Sequence, residues 1–464
     1  MLVNRSMIFL LFLPCLPGLL EAAPRHEQFA ERSRTIAFVE FYIQREVDRQ
    51  NGEGVGILVS EDGLVACLPN VFPEWVPPER FRDIRLYPAG NPVAEGFEAS
   101  YLGQDWVTSW HYLRIEDMEE ASAYLDPITD LETGIPRIGE TVWGVCMTTG
   151  DLDYVAYYRE GKLSTIQPLP LDTGFATDEV AVPGGPVFLD DGRLAGWAGR
   201  SLPMERDMWI GSDFFRANIR NPDESHMFLL AEPFLTEIGK RVPEHPLDHE
   251  RPWIGISGTQ PLDKETARFM GLTDQGVVIV SEVLPGTPAE DAGLRNRDLI
   301  LAINGKELPR LKPDSVLQAY FERQILLSPI GEPMAMTLLR GEEQVEVEIQ
   351  PRRAPTLMKE ARRRYFDGAG LTLREFIVAD AIQRREDHRR LSGAIVNFIR
   401  PNSPAAAGEL QPGDWVKEIG GEPIDDFSEA VSRMETILAD ETQDEVVLLV
   451  QRSNETSVLR IRKQ

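Results

Sequence analysis

The run Val283–Leu308 occurs a second time as Ile399–Ile424, 116 residues further on and without a gap. Pro285 coincides with Pro401, Pro288 with Pro404, Ala289 with Ala405 and Leu294 with Leu410. Asp298 coincides with Asp414, Ile303 with Ile419 and Gly305 with Gly421. A repeat at this spacing predicts tandem modules of roughly 100 residues each. A chain of 464 residues has room for about three domains, so the first half is left to form one more.

That first half predicts strands. Thr35–Gln44 and Val55–Ser60 flank a turn expected at Asn51-Gly52-Glu53-Gly54. Short apolar runs follow at Leu64–Leu68, Phe97–Leu102, Thr141–Met147, Tyr154–Tyr158 and Val187–Leu189. Strands at this frequency point to a barrel or sandwich rather than βαβ units. Phe228–Lys240 is expected as a closing helix, and 242–252, with three prolines, as a linker. Leu357–Tyr365, rich in Lys and Arg, is expected as a helical linker.

A formal net charge of -27 argues against nucleic acid and anionic membranes as partners. Residues 1–23 read as a secretory signal: Arg5, then an apolar run Met7–Leu20, then a small-residue exit at Ala22-Ala23. The run is short for a membrane span, although an uncleaved anchor stays open, and no other stretch could span a bilayer. Two cysteines remain, Cys67 and Cys146. Export allows them to pair, while their place on predicted buried strands favours two free thiols. Without CxxC, HExxH or clustered histidines, neither a metal nor a cofactor is expected.

The repeated stretch resembles a PDZ domain of the kind carried by HtrA/Deg proteases. The first copy keeps that family's Pro-Gly-x-Pro-Ala turn, Ala-Gly-Leu helix end and Asn-Gly turn. The second departs at Gly408-Glu409 and at Gly420. Signal, β-rich domain and two PDZ modules are also the order in that family. The resemblance therefore implies a mostly β fold, a trypsin-like double β-barrel followed by two α+β PDZ domains. The expected boundaries are 1–23 signal, 24–245 protease-like domain, 246–353 first PDZ domain, 354–367 linker and 368–464 second PDZ domain.

The same resemblance locates the family's three catalytic positions. Gly54–Val71 resembles its Gly-Ser-Gly strand and Thr-Asn-Asn-His-Val, with Asn70 where the general-base histidine belongs. Leu102–Ile115 resembles the segment of the orienting aspartate, with Ser109 in its place. Ala181-Val182-Pro183-Gly184-Gly185-Pro186 resembles Gly-Asn-Ser-Gly-Gly-Pro, with Pro183 at the nucleophile. Proline brings neither a hydroxyl nor a backbone N–H for an oxyanion hole. Asparagine is no base near neutral pH. The implied protein is a secreted or periplasmic pseudoprotease. One relocated couple is open to it, Ser109 with His111, which would share a strand face but need a new oxyanion hole and acid. A packed strand residue is the plainer reading of His111.

PDZ domains accept an extended peptide as an added strand and hold its carboxylate with backbone N–H groups. The resemblance assigns this to Trp253-Ile254-Gly255-Ile256 in the first copy and to Gly370-Leu371-Thr372-Leu373 in the second, where threonine stands for the loop glycine. The facing helices are expected at Pro313–Leu326 and Asp426–Leu438, with Ser315 and Ser428 as helix caps or pocket residues. Implied partners are peptides or unfolded proteins, for a scaffold, adaptor or chaperone. The other implied roles are an active protease with relocated residues and a regulatory subunit in a homo- or hetero-oligomer.

Overall fold

Alternate side chains of the first strand, β1 (Ile36–Gln44), enter two different cores. Ala37, Val39, Phe41 and Ile43 point into one closed barrel, and Ile36 and Phe38 into the seam with a second. A strand with period two that is covered on both sides needs apolar residues at both phases. The computed structural model describes residues 25–463 except 91, 170, 200–205, 211, 212, 218–225, 248, 249 and 313. The expected signal segment, 1–23, lies outside these residues. Among them no helix is long and apolar enough to cross a membrane.

The first barrel adds β2 (Arg49–Leu58), β3 (Leu64–Cys67), β4 (Phe81–Pro88), β5 (Phe97–Gln104) and β6 (His111–Ile115), in the order β1-β2-β3-β6-β5-β4. The turn expected at residues 51–54 is instead inside β2, paired with β1 from Phe41↔Gly52 to Val39↔Gly54. Packing explains these glycines. A Cβ on Gly52 would stand 2.2 Å from the Phe41 ring, and one on Gly54 2.5 Å from Val71.

The second barrel consists of β7 (Thr141–Met147), β8 (Ala156–Pro168), β9 (Asp172–Ala176), β10 (Pro186–Leu189), β11 (Leu194–Trp197) and, after a hairpin of β12 (Arg206–Ile210) and β13 (Asp213–Ala217), β14 (Met227–Leu230). Its order is β10-β11-β14-β9-β8-β7. Of the helix expected at 228–240, only Ala231–Glu237 is helical, because Phe228 and Leu229 close the barrel against β9 and Leu229 and Leu230 against β11. The seam between the barrels is aromatic. The Trp110 and Trp197 rings meet edge-on with centroids 4.9 Å apart.

The first repeat builds β15 (Pro252–Trp253), β16 (Thr259–Pro261), β17 (Val278–Val280), β18 (Leu299–Ile303), β19 (Lys306–Glu307), β20 (Met334–Arg340), β21 (Glu343–Ile349) and β22 (Arg352–Arg353). The second builds β23 (Arg363–Phe366), β24 (Leu371–Glu375), β25 (Ala394–Ile399), β26 (Trp415–Ile419), β27 (Glu422–Pro423), β28 (Glu445–Arg452) and β29 (Glu455–Arg462). Helices Asp314–Leu326 and Phe427–Ala439 cover the respective sheets. The helical linker expected at 357–365 is not helical. It makes one turn at 358–360 and then becomes β23, since the edge of β24 offers strand hydrogen bonds.

Candidate functional site

Asn70, Ser109 and Pro183, the three positions picked out by resemblance, lie on segments that leave the same end of the barrel seam. Cys67 pairs with His111, so residues 68–70 after β3 and residues 109–110 before β6 emerge side by side. Asn70 is exposed in a turn. Ser109 is not on the strand: it has φ of 61° and donates its N–H to the Asp105 carbonyl at 2.7 Å. Pro183 is exposed in the loop before β10. That loop is held firmly. Trp197 Nε1 donates to the Gly184 carbonyl at 2.6 Å, and Gly184 N–H to the Ala198 carbonyl at 2.7 Å. A Cβ on Gly184, whose φ is 88°, would stand 3.1 Å from the Val55 carbonyl oxygen and 3.8 Å from Leu68 of the first barrel.

His111 turns away from this cleft into the first barrel. Its ring packs against Phe72 and shares a 2.7 Å hydrogen bond with the Tyr101 hydroxyl through Nδ1. Burial, reinforced by the Lys359 charge, pushes its pKa down to about 3. With Nδ1 bonded to Tyr101 and its basicity lowered so far by burial, this imidazole is too weak a base to activate Ser109. Cys67 and Cys146 are both free and buried, one in each barrel, and burial raises both thiols above their ordinary range.

In the first repeat, Trp253 ends β15, and Ile254-Gly255-Ile256 forms the loop before β16. Gly255 has φ of 86°, and a Cβ there would stand 2.1 Å from Thr287 Cβ, so only glycine fits. Strand β16 is terminal in its sheet, paired with β17 alone. Among the described residues no acceptor pairs with the Gly255 N–H.

In the second repeat, the counterpart of Gly255 is Gly370, with φ of 68° and a virtual Cβ 2.3 Å from Ser403. Matching bonds fix the equivalence. Leu284 N–H donates to the Gly255 carbonyl and Arg400 N–H to that of Gly370; Ala289 donates to Ile254 and Ala405 to Ala369. The expected register, which put Thr372 at the loop glycine, is therefore two residues late. Leu371, Thr372 and Leu373 lie in β24. The cap of the second helix is Asp426, which accepts from Glu429 N–H, whereas Ser428 accepts from Arg362 Nη1 at 2.9 Å. The Ser315 side chain lies outside the described set.

The sequence reading missed the joint between the barrels and the second repeat. Lys359 is buried, donates to Gln104 Oε1 at 3.0 Å and sits 4.2 Å over the Trp106 ring. Thr372 Oγ1 donates to Glu46 Oε1 at 3.0 Å. Burial opposes the Glu46 charge, but its bonds with Arg80 and Thr372 hold its pKa below the ordinary value. Asp105 accepts from Val107 N–H, Thr108 Oγ1 and Arg241 Nε, which ties β5 to the segment after the helix at residues 231–237. Nothing in local sequence marks a lysine as the one that will be buried.

Comparison with known proteins agrees with the two modules. The PDZ domain family matches residues 279–340 and 395–452. A probable periplasmic serine protease do/HhoA-like of Haemophilus influenzae is 28% identical over 185 residues, 39% of this chain and 35% of that protein. The periplasmic serine endoprotease DegP of Salmonella typhimurium is 25% identical over 176 residues, 38% and 33% of the two chains. DegP of Escherichia coli K12 is 27% identical over 163 residues, 35% and 30% of the two chains. The chain thus spans about a third of the length of these relatives. Among solved structures, the HtrA-type protease AlgW with tripeptide has a TM-score of 0.48 at 17% identity, covering 72% of this chain and 99% of that one. Two closed six-stranded barrels are followed by two modules that match the PDZ domain family, and in both halves together the chain is similar to HtrA/DegP-type periplasmic serine proteases.

Proposed function

We propose that this chain is a pseudoprotease of the family, located in the periplasm or secreted, that binds extended peptide segments or chain ends as a scaffold, adaptor or chaperone in envelope protein quality control. The observation that carries the reading is Pro183 at the nucleophile position, in a loop whose glycines and tryptophan anchor are kept. Replacing the hydroxyl and the N–H together removes the attacking group and half of the oxyanion hole. Asn70 and Ser109 supply neither a base nor an orienting charge, and His111, buried and too weakly basic, does not replace them. The periplasmic relatives support the location. Peptide binding falls first to Trp253, Ile254, Gly255 and Ile256, beside the unpaired edge of β16.

Casein incubated with the purified protein across the pH range is expected to stay intact. Hydrolysis that a serine-directed inhibitor abolishes would overturn the reading. A library of decapeptides with free carboxylates tests the binding half. Gly255→Val, which sets a side chain against Thr287, is expected to weaken captured peptides at least tenfold.

A further inference from the structure

We infer that the groove of the second PDZ module is occupied by the chain's own strand β23, held as a tethered ligand ending at Phe366, and that the groove therefore recognises segments with an aromatic last residue and an arginine two residues before it. The inference rests on the reading of these modules as strand-accepting grooves.

The pairing is that of an added strand. Strand β23 runs antiparallel to β24, from Arg363↔Arg374 to Phe366↔Leu371, on the edge opposite β25. Side chains in and just before it tie it both to β24 and to the helix Phe427–Ala439. Arg362 reaches Glu375 on β24, Ser428 on the helix and the face of the Phe427 ring. Arg364 pairs with Glu435 of the same helix at 2.7 Å. A peptide bound antiparallel to β24 would end at the Gly370 loop, and β23 ends there at Phe366. The Phe366 side chain is 5% exposed and packs among the core residues of the module. Its carbonyl oxygen accepts the N–H of Gly370 at 2.7 Å and that of Ala369 at 3.2 Å. These are the donors expected to receive a terminal carboxylate. The chain satisfies them with its own backbone, whereas the equivalent Gly255 N–H of the first module has no acceptor among the described residues.

The segment is held at its other end as well. Ala354 N–H donates to the Arg251 carbonyl, and Lys359 is buried against Gln104 and Trp106 of the first barrel. Within the segment, Arg363 donates to the carbonyls of Met358 and Ala361. A ligand on so short a tether has a high effective concentration, so a free peptide of equal intrinsic affinity competes poorly.

The test uses the full chain and a labelled peptide Arg-Arg-Arg-Tyr-Phe with a free carboxylate, the sequence of residues 362–366. Fluorescence anisotropy is expected to show at least tenfold tighter binding to the double variant Arg364→Ala/Phe366→Ala than to the wild type. Adding Glu435→Arg should then weaken that binding at least threefold. Equal binding to wild type and double variant would overturn the inference. So would binding indifferent to Glu435→Arg, which would place the peptide elsewhere, for instance in the first module. Hydrogen exchange on the unmodified chain gives an independent reading that needs no variant. The amides of β23 that face β24, alternate residues of an edge strand, and the amide of Gly370 are expected to be protected, and exchange of these at the rate of an open segment would overturn the inference. Loss of peptide binding in Gly255→Val bears on the first module alone and leaves these outcomes untouched.

Discussion

Asp298 and Asp414 hold the same place in the two repeats. Each is buried and takes a two-pronged bond from an arginine, Arg340 in the first module and Arg452 in the second, with all four distances between 2.7 and 2.8 Å. Each also accepts a backbone N–H three residues upstream, from Arg295 and Gln411. The modules part company at the groove. In the first, β16 ends its sheet; in the second, β23 covers β24. Identical scaffolds with different edges teach that repeat similarity reports how a module is built. Whether its groove is free depends on the chain that enters it.

The largest expected effects test the shared part. Asp298→Ala and Asp414→Ala each remove a buried carboxylate together with its two-pronged arginine bond and its backbone N–H bond, while the partly exposed arginine left behind meets water; the lost charge-assisted bonds are worth about 3 kcal/mol. Denaturant melts should show similar losses for the two variants. A difference of more than about twofold would break the equivalence of the scaffolds.

Phe366→Ala tests the part that differs. Removing a buried phenylalanine costs about 3 kcal/mol, and the loss should fall on the second module alone. Hydrogen exchange should show β24 losing protection while β16 and β17 keep theirs. Equal loosening of both modules would contradict the distinction.

Lys359 adds a pH signature to the second module's tether. Burial lowers its pKa to about 8 despite the opposing charges of Glu74 and Glu360, with Arg251 acting in the same direction as burial. The unfolded chain holds this proton up to about pH 10.4, so between these values the unfolded state binds more protons. Stability therefore rises with pH across that window, by about 2 kcal/mol at most, and the penalty is fully present below pH 8. Comparison with Lys359→Met cancels the other titrating groups. The wild type should gain on the variant from pH 8 to 10, and a flat difference would place the ammonium in solvent.

Thr372→Val is the mildest change. It removes the hydroxyl bond to Glu46, worth about 1 kcal/mol, while Arg80 still pairs with that carboxylate. A much larger loss would mean that Thr372 carries more of the barrel contact than one hydrogen bond.

Much of the architecture is legible in the chain. The coincident prolines and aspartates of the repeat mark turns and buried pairs that local sequence specifies, and both copies built them. The glycines of β2 misled because glycine signals a turn and a close contact equally well, and only the Phe41 and Val71 side chains show which applies. The linker misled because charge and the lack of Gly or Pro suggest a helix, while a partner edge that is near only in the folded chain made it a strand. Asn70, Ser109 and Pro183 could be picked out through resemblance; their common place at the barrel seam follows from the Cys67↔His111 pairing and the contacts of Gly184.

The sequence by itself determined the repeat and the likeness to HtrA/DegP-type proteases, because these reside in residue types and short spacings. The tertiary structure decided the fate of the grooves. Strand pairing joins groups regardless of their distance in sequence, and the N–H of Gly370 is satisfied or free according to whether Phe366 folds back onto it.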